Sequence, residues 1–198
     1  MSGAKRVPGW MSVEEYLAFE NEHPERHEYV DGDVYVMSGG TYRHSQLSQN
    51  VAFRLMTSAL DGPCAVHTHD LKVQIGDERV YYPDVLVVCG AVPGDTLVLW
   101  QPCLIVEVTS PSTRRIDRGE KLDGYRKLRS LRAYFVIDHR RRRVDRHWRD
   151  NADAWMHEEY AVDGEVPIPC IGGVLTLDEI YKGVELPNIA EPEPVEYG

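Results

Sequence analysis

Val80-Tyr81-Tyr82-Pro83-Asp84-Val85-Leu86-Val87-Val88-Cys89 and Cys103-Leu104-Ile105-Val106-Glu107-Val108 decide the fold. Each is a nearly continuous apolar run, too short for a buried helix and rich in β-branched residues. That pattern predicts central strands covered on both faces. Each run is also interrupted by one carboxylate, Asp84 in the first and Glu107 in the second. An unpaired charge in such a place is costly, so each acid needs a partner. If the runs pair antiparallel across the Gly94-Asp95 loop, Asp84 and Glu107 come close together. Two resolutions are then open. Each acid pairs with an arginine, or the two share a divalent cation such as Mg²⁺, which takes one or two carboxylates plus waters and phosphate oxygens.

Working outward, Ser12 and Glu15 have the spacing of a capping box, so a short helix runs to about Asn21. Glu28 to Met37 reads as two strands around the turn Asp31-Gly32. A second helix spans about His44 to Leu60, stopped by Asp61-Gly62-Pro63. Ala65 to Ile75 reads as one strand, with Asp70, Lys72 and Gln74 forming a polar face. Asp117-Arg118-Gly119-Glu120 resembles a helix start, and the stripe Leu122, Tyr125, Leu128 carries that helix to about Arg129. Ala133–Asp138, Val144–Trp148 and Ala154–Tyr160 are further strands. This order predicts an α+β fold with an α/β core, built on one mixed sheet flanked by helices and preceded by an N-terminal helix and hairpin. Residues 1–184 read as one domain. The tail 185–198 holds four glutamates, three prolines and no Lys or Arg, and reads as extended.

Composition narrows the function. The chain has 198 residues, 42 % of them apolar, and a net charge of −10. A uniformly basic nucleic-acid coat is excluded. No apolar run reaches membrane-spanning length, and the N-terminus lacks the apolar stretch of a signal peptide, so a cytoplasmic protein is expected. The charge is uneven, however. Residues 113–149 contain 14 Lys and Arg against 5 Asp and Glu. Either these cations are paired with neighbouring acids, or they form a patch for a phosphate backbone. Cys64, Cys89, Cys103 and Cys170 form no C-x-x-C pair and read as buried free thiols. His67 and His69 make an H-x-H pair that would share one strand face, with no further zinc ligands in sight. Lys121, in the first turn of the third helix, is either a surface lysine or a cation for charge developing on a phosphate.

The ordered segments His27-Glu28-Tyr29-Val30-Asp31-Gly32, Arg43-His44, Asp70-Leu71-Lys72-Val73, Tyr82-Pro83-Asp84-Val85 and Val106-Glu107-Val108-Thr109-Ser110-Pro111-Ser112-Thr113 carry a resemblance. Asp117-Arg118-Gly119-Glu120-Lys121, followed by Tyr125-Arg126, completes it. Over about residues 10 to 182, the chain resembles the Uma-two family of restriction-endonuclease-like proteins, within the PD-(D/E)XK nuclease superfamily. The resemblance implies a restriction-endonuclease-like core and a Mg²⁺- or Mn²⁺-dependent phosphodiesterase site acting on DNA, with a homodimer addressing two strands. It implies Asp84 and Glu107 as metal ligands and Glu28 as a further metal or water ligand. The superfamily lysine expected two residues after the glutamate is Thr109 here. Lys121 is the substitute the resemblance implies, and Lys72 is its competitor. That departure supports a rival expectation, a catalytically inactive nuclease-fold protein that binds nucleic acid or a protein partner.

Overall fold

In the computed structural model, residues 5–37, 39–109 and 119–188 are described. The chain opens with β1 (Arg6–Val7) and α1 (Val13–Glu22). The Ser12–Glu15 capping box is fully formed. β2 (His27–Val30) and β3 (Asp33–Val36) make the hairpin. Asp31 and Gly32 both have positive φ, which a two-residue turn between right-twisted strands requires. Trp10 lies over that turn so closely that a side chain at Gly32 would collide with its ring. α2 follows (Tyr42–Ala59), then β4 (Cys64–Thr68), β5 (Lys72–Ile75), β6 (Arg79–Tyr81), β7 (Val85–Cys89), β8 (Val98–Leu99) and β9 (Leu104–Val108). The remainder is α3 (Glu120–Tyr125), β10 (Ala133–Ile137), β11 (Arg143–Arg149), β12 (Trp155–Ala161), β13 (Glu165–Pro167), β14 (Val174–Thr176) and α4 (Leu177–Ile180).

The α+β fold has its strands divided between two large mixed sheets rather than one. The first has the order β1-β3-β2-β6-β5-β8, the second β12-β11-β10-β9-β7-β4, and β13-β14 form a small third. Two runs that read as single strands each cross from one large sheet to the other. In 65–75 the break is His69, whose backbone is left-handed at φ 56°. In 80–89 it is Pro83, which has no N–H to give a ladder. A consequence is that Lys72 and Gln74 are buried rather than forming a polar face. α3 also ends at Tyr125, earlier than its apolar stripe suggests.

β9 and β10 are parallel, so the chain must cross over between them, and α3 lies in that crossover. Three apolar clusters hold the layers together. Leu47, Val51 and Leu55 of α2 pack on Val85, Val87, Leu104 and Val106 of the second sheet. Leu86, Ile105 and Tyr134 on its other face meet Val73, Ile75 and Tyr81 of the first sheet, with Leu122 and Tyr125 of α3. Val13 and Tyr16 of α1 cover Tyr29, Val34 and Val80.

The expectation of free thiols is corrected. Cys64–Cys89 and Cys103–Cys170 are disulfides. Cys64 and Cys89 are register partners of β4 and β7, and Cys103 meets a residue far along the chain, so no local spacing announces either pair. The expected H-x-H face is corrected too. His67 lies in β4, while His69 lies beyond its end in the left-handed bend. Much of the basic segment is paired. Lys127 meets Glu78, Arg142 meets Asp178, Arg143 meets Asp145 and Glu159, and Arg132 and Arg149 meet Asp153. Ser110, Pro111, Ser112, Thr113, Asp117 and Arg118 lie outside the described residues, as does most of the acidic tail.

Candidate active site

β7 and β9 pair antiparallel, with Val85 opposite Val106. One step further, the register sets Asp84 against Glu107. Opposed residues of an antiparallel pair project to the same face, here the face that Leu86 and Ile105 line toward the first sheet. Both acids are buried. Asp84 is held by three groups. Its Oδ2 accepts the Val108 N–H at 2.7 Å and faces His44 Nε2 at 3.1 Å, while its Oδ1 stands 3.6 Å from His69 Nδ1. Burial pushes the Asp84 carboxyl up. The His44 hydrogen bond and charge, the Val108 N–H and the Lys121 charge outweigh it, and hold the carboxyl below its usual value. Asp84 is therefore ionised at neutral pH.

Glu107 has different company. Its Oε1 accepts from Lys121 Nζ at 3.1 Å and from the Tyr125 hydroxyl at 2.9 Å. Burial, followed by the Glu107 charge, pushes the Tyr125 phenol well above its usual value, so it stays protonated and donates. The same Lys121 ammonium lies 2.8 Å from Glu28 Oε1. The angle there does not complete a hydrogen bond, and Glu28 Oε1 remains a buried oxygen without one. Lys121 also stands 5.2 Å from the centre of the Tyr81 ring, and its side chain is 5 % exposed. It is not a surface lysine. Thr109, in the place of the superfamily lysine, is fully buried and shares its hydroxyl with His139.

The structure thus gathers Asp84, Glu107, Lys121 and Glu28 around the start of β7 and the end of β9. Lys72 is not among them, because it projects from the first sheet beside Tyr82. Tyr125 is an addition that sequence reasoning missed as a site residue, while His44, a surface histidine as a bare residue and near the site only by the family resemblance, meets Asp84. His44 sits in the first turn of α2, with Thr41 capping its N–H at 3.3 Å, and only the tertiary packing of α2 brings it to Asp84. The Tyr125 hydroxyl is concealed by an apolar stripe pattern.

The donor set fits a hard divalent cation through two opposed carboxylates, with water and phosphate oxygens as remaining ligands. Among the described residues, no three His, Cys, Asp or Glu side chains converge into a complete cage. Glu28 and Glu107 have the Lys121 ammonium between them.

A family model described as "putative restriction endonuclease" matches residues 13–177. The uncharacterized protein slr1290 of Synechocystis sp. is 34 % identical over 178 residues, covering 88 % of this chain and 93 % of its own. A second uncharacterized protein of that organism, sll1609, is 26 % identical over 153 residues, covering 75 % and 86 %. A crystal structure of a "putative nuclease belonging to DUF820" from Anabaena variabilis superimposes with a TM-score of 0.73 at 17 % identity, covering 86 % of this chain and 97 % of that one. At that identity the likeness is one of fold. The family match spans most of the chain, from α1 into α4, and includes Glu28, Asp84, Glu107 and Lys121. The chain therefore belongs to the Uma2 family of restriction-endonuclease-like proteins.

Proposed function

We propose that this protein is a divalent-metal-dependent endonuclease that hydrolyses phosphodiester bonds in DNA. The observation that carries the reading is the opposition of Asp84 and Glu107 on paired strands, with the Lys121 ammonium bonded to Glu107. Asp84 and Glu107 would hold Mg²⁺ or Mn²⁺, and Glu28 would accept a hydrogen bond from water at the edge of the site. When bound, such a cation polarises a phosphoryl oxygen and lowers the pKa of a water.

The chain's own residues supply the rest. Asp84 stays ionised through His44 and the Val108 N–H, so it offers a fixed negative charge without reorganisation. Lys121 turns its ammonium into the site, where charge develops on the phosphate. Tyr125 and Lys121 together fix the rotamer of Glu107. Burial of all four charged groups keeps the local dielectric low and strengthens each of these interactions.

A homodimer would present one such site to each strand of a duplex, and sedimentation at micromolar protein tests it. A cytoplasmic location is part of this proposal, although two disulfides are unusual in a reducing compartment. No helix among the described residues is long and apolar enough to cross a membrane.

Calorimetric titration with Mn²⁺ tests the metal assignment. Wild type with a DNA duplex present should show binding that Asp84→Asn/Glu107→Gln lacks, with both proteins folded by circular dichroism. Equal binding by both contradicts the assignment. DNA binding without metal binding or cleavage favours the inactive nuclease-fold reading.

A further inference from the structure

Lys72 opens β5, and the register one step beyond Val73–Tyr81 sets it against Tyr82. It is 7 % exposed. A lysine buried to that degree normally has an acid beside it. Here the ammonium stands 5.5 Å from the Tyr82 ring centre and makes no hydrogen bond or ion pair among the described residues. It is absent from the sealed, unpartnered atoms of the interior, so the stem is buried while the tip reaches solvent.

The acid that could have neutralised it is committed elsewhere. Glu20 Oε1 accepts from the Tyr82 hydroxyl at 2.7 Å and the His27 N–H at 3.0 Å, and its Oε2 faces His27 Nδ1 at 2.9 Å. Burial, opposed by the Glu20 charge and aided by Arg26, lowers the pKa of Lys72. Glu20 therefore acts on the ammonium through its charge, while its hydrogen bonds go to His27 and Tyr82.

Arg26 lies over the same Tyr82 ring, 5.7 Å from its centre. It donates to the His69 carbonyl at 2.9 Å and pairs with Asp70. That pair is weak because the Asp70 side chain is 78 % exposed. His69 is the left-handed residue of the bend between β4 and β5, a conformation uncommon for a side chain of its size. The bend directs its ring to Asp84. His69 thus faces Asp84 with its ring and Arg26 with its carbonyl, and Arg26 and Lys72 share the Tyr82 ring, with Asp70 and Glu20 beside them.

We propose that Lys72, with Arg26 and His69, forms an anion subsite beside the Asp84–Glu107 centre. Its ligand is a backbone phosphate of the bound nucleic-acid strand, next to the phosphodiester being cut. Lys72 is thus a binding residue and not the motif lysine. This assignment rests on the phosphodiesterase reading above.

The test is fluorescence anisotropy of a labelled DNA duplex with wild type, Lys72→Met and Lys72→Arg, across a salt series without divalent metal. Plasmid cleavage in Mg²⁺ is followed in parallel. Lys72→Met should weaken binding about tenfold at moderate salt and reduce the slope of log K against log salt by about one. Lys72→Arg should keep the slope. Thermal melts of both variants exclude unfolding as the cause. If wild type binds and cleaves while Lys72→Met binds with the same affinity and slope, the subsite is overturned and the nuclease reading stands. If wild type neither binds nor cleaves DNA, both fall together.

Discussion

Lys121 sets its ammonium 3.1 Å from Glu107 Oε1 and 2.8 Å from Glu28 Oε1, so one buried cation faces two buried acids from different sheets. It also faces Asp84 at longer range, where its charge helps keep that carboxyl ionised. A single side chain from the β9–β10 crossover thereby ties both sheets to one electrostatic centre.

Removing that cation should have two effects. Lys121→Met leaves Glu28 and Glu107 buried without their counter-charge, which costs about 3 kcal/mol. It should melt well below wild type, and Mg²⁺ should restore part of the loss. Adding Glu28→Gln should also recover part of it, a coupling that a double-mutant cycle in urea measures. Independent, additive losses would show that Lys121 and Glu28 do not interact.

His44 orients and charges Asp84 without being a predicted metal ligand. Groups of that kind change metal affinity by about 10- to 100-fold when removed. His44→Ala should weaken Mn²⁺ binding by that factor in calorimetry and leave the melting temperature within a few degrees. Unchanged affinity would make the His44–Asp84 contact incidental.

Tyr125→Phe removes one of the two hydrogen bonds to Glu107 Oε1 and keeps the ring packing against Tyr81 and Tyr134. The expected stability loss is about 1 to 2 kcal/mol, the range for a hydrogen bond to a charged acceptor. Cleavage should fall about tenfold in kcat with little change in KM, because Glu107 loses a fixed rotamer rather than its charge. Chemical denaturation and steady-state kinetics read the two effects separately.

The second sheet carries a pH-dependent element away from the site. His147 is pushed down to about 4 by burial, then by the neighbouring His157 and Arg126 charges. It stacks on His157 at 4.5 Å between ring centres. A histidine whose folded pKa is depressed binds fewer protons folded than unfolded. Its contribution is therefore complete above about pH 6.5 and declines as pH falls toward 4, by on the order of 2 kcal/mol. Urea denaturation at pH 7.5 and 4.5 should show that loss in wild type and a smaller one in His147→Phe. Equal losses would remove His147 as the cause.

The two acid-bearing strands were legible because an isolated carboxylate in an apolar run is a strong physical anomaly. Their antiparallel pairing was only a condition in the sequence, and the structure supplies the register. The sheet division was not legible. His69 and Pro83 each look like one residue inside a strand, and the exchange between sheets depends on a backbone conformation that periodicity does not encode. Lys72 misled for the same reason, since alternation assigned it to a polar face that the α1 layer in fact covers. His44 and Tyr125 reach the site only through packing of α2 and α3. The disulfides were invisible to local spacing because one joins register partners and the other joins residues separated by 67 positions.

The most direct measurement is cleavage of a supercoiled plasmid by purified wild type, Asp84→Asn and Glu107→Gln, in Mg²⁺, in Mn²⁺ and with chelator, with folding verified for each protein. The account predicts metal-dependent nicking or linearisation by wild type, abolished by chelator and reduced at least about 100-fold in each variant. Cleavage that persists in either folded variant, or no cleavage by wild type with either metal, would contradict it.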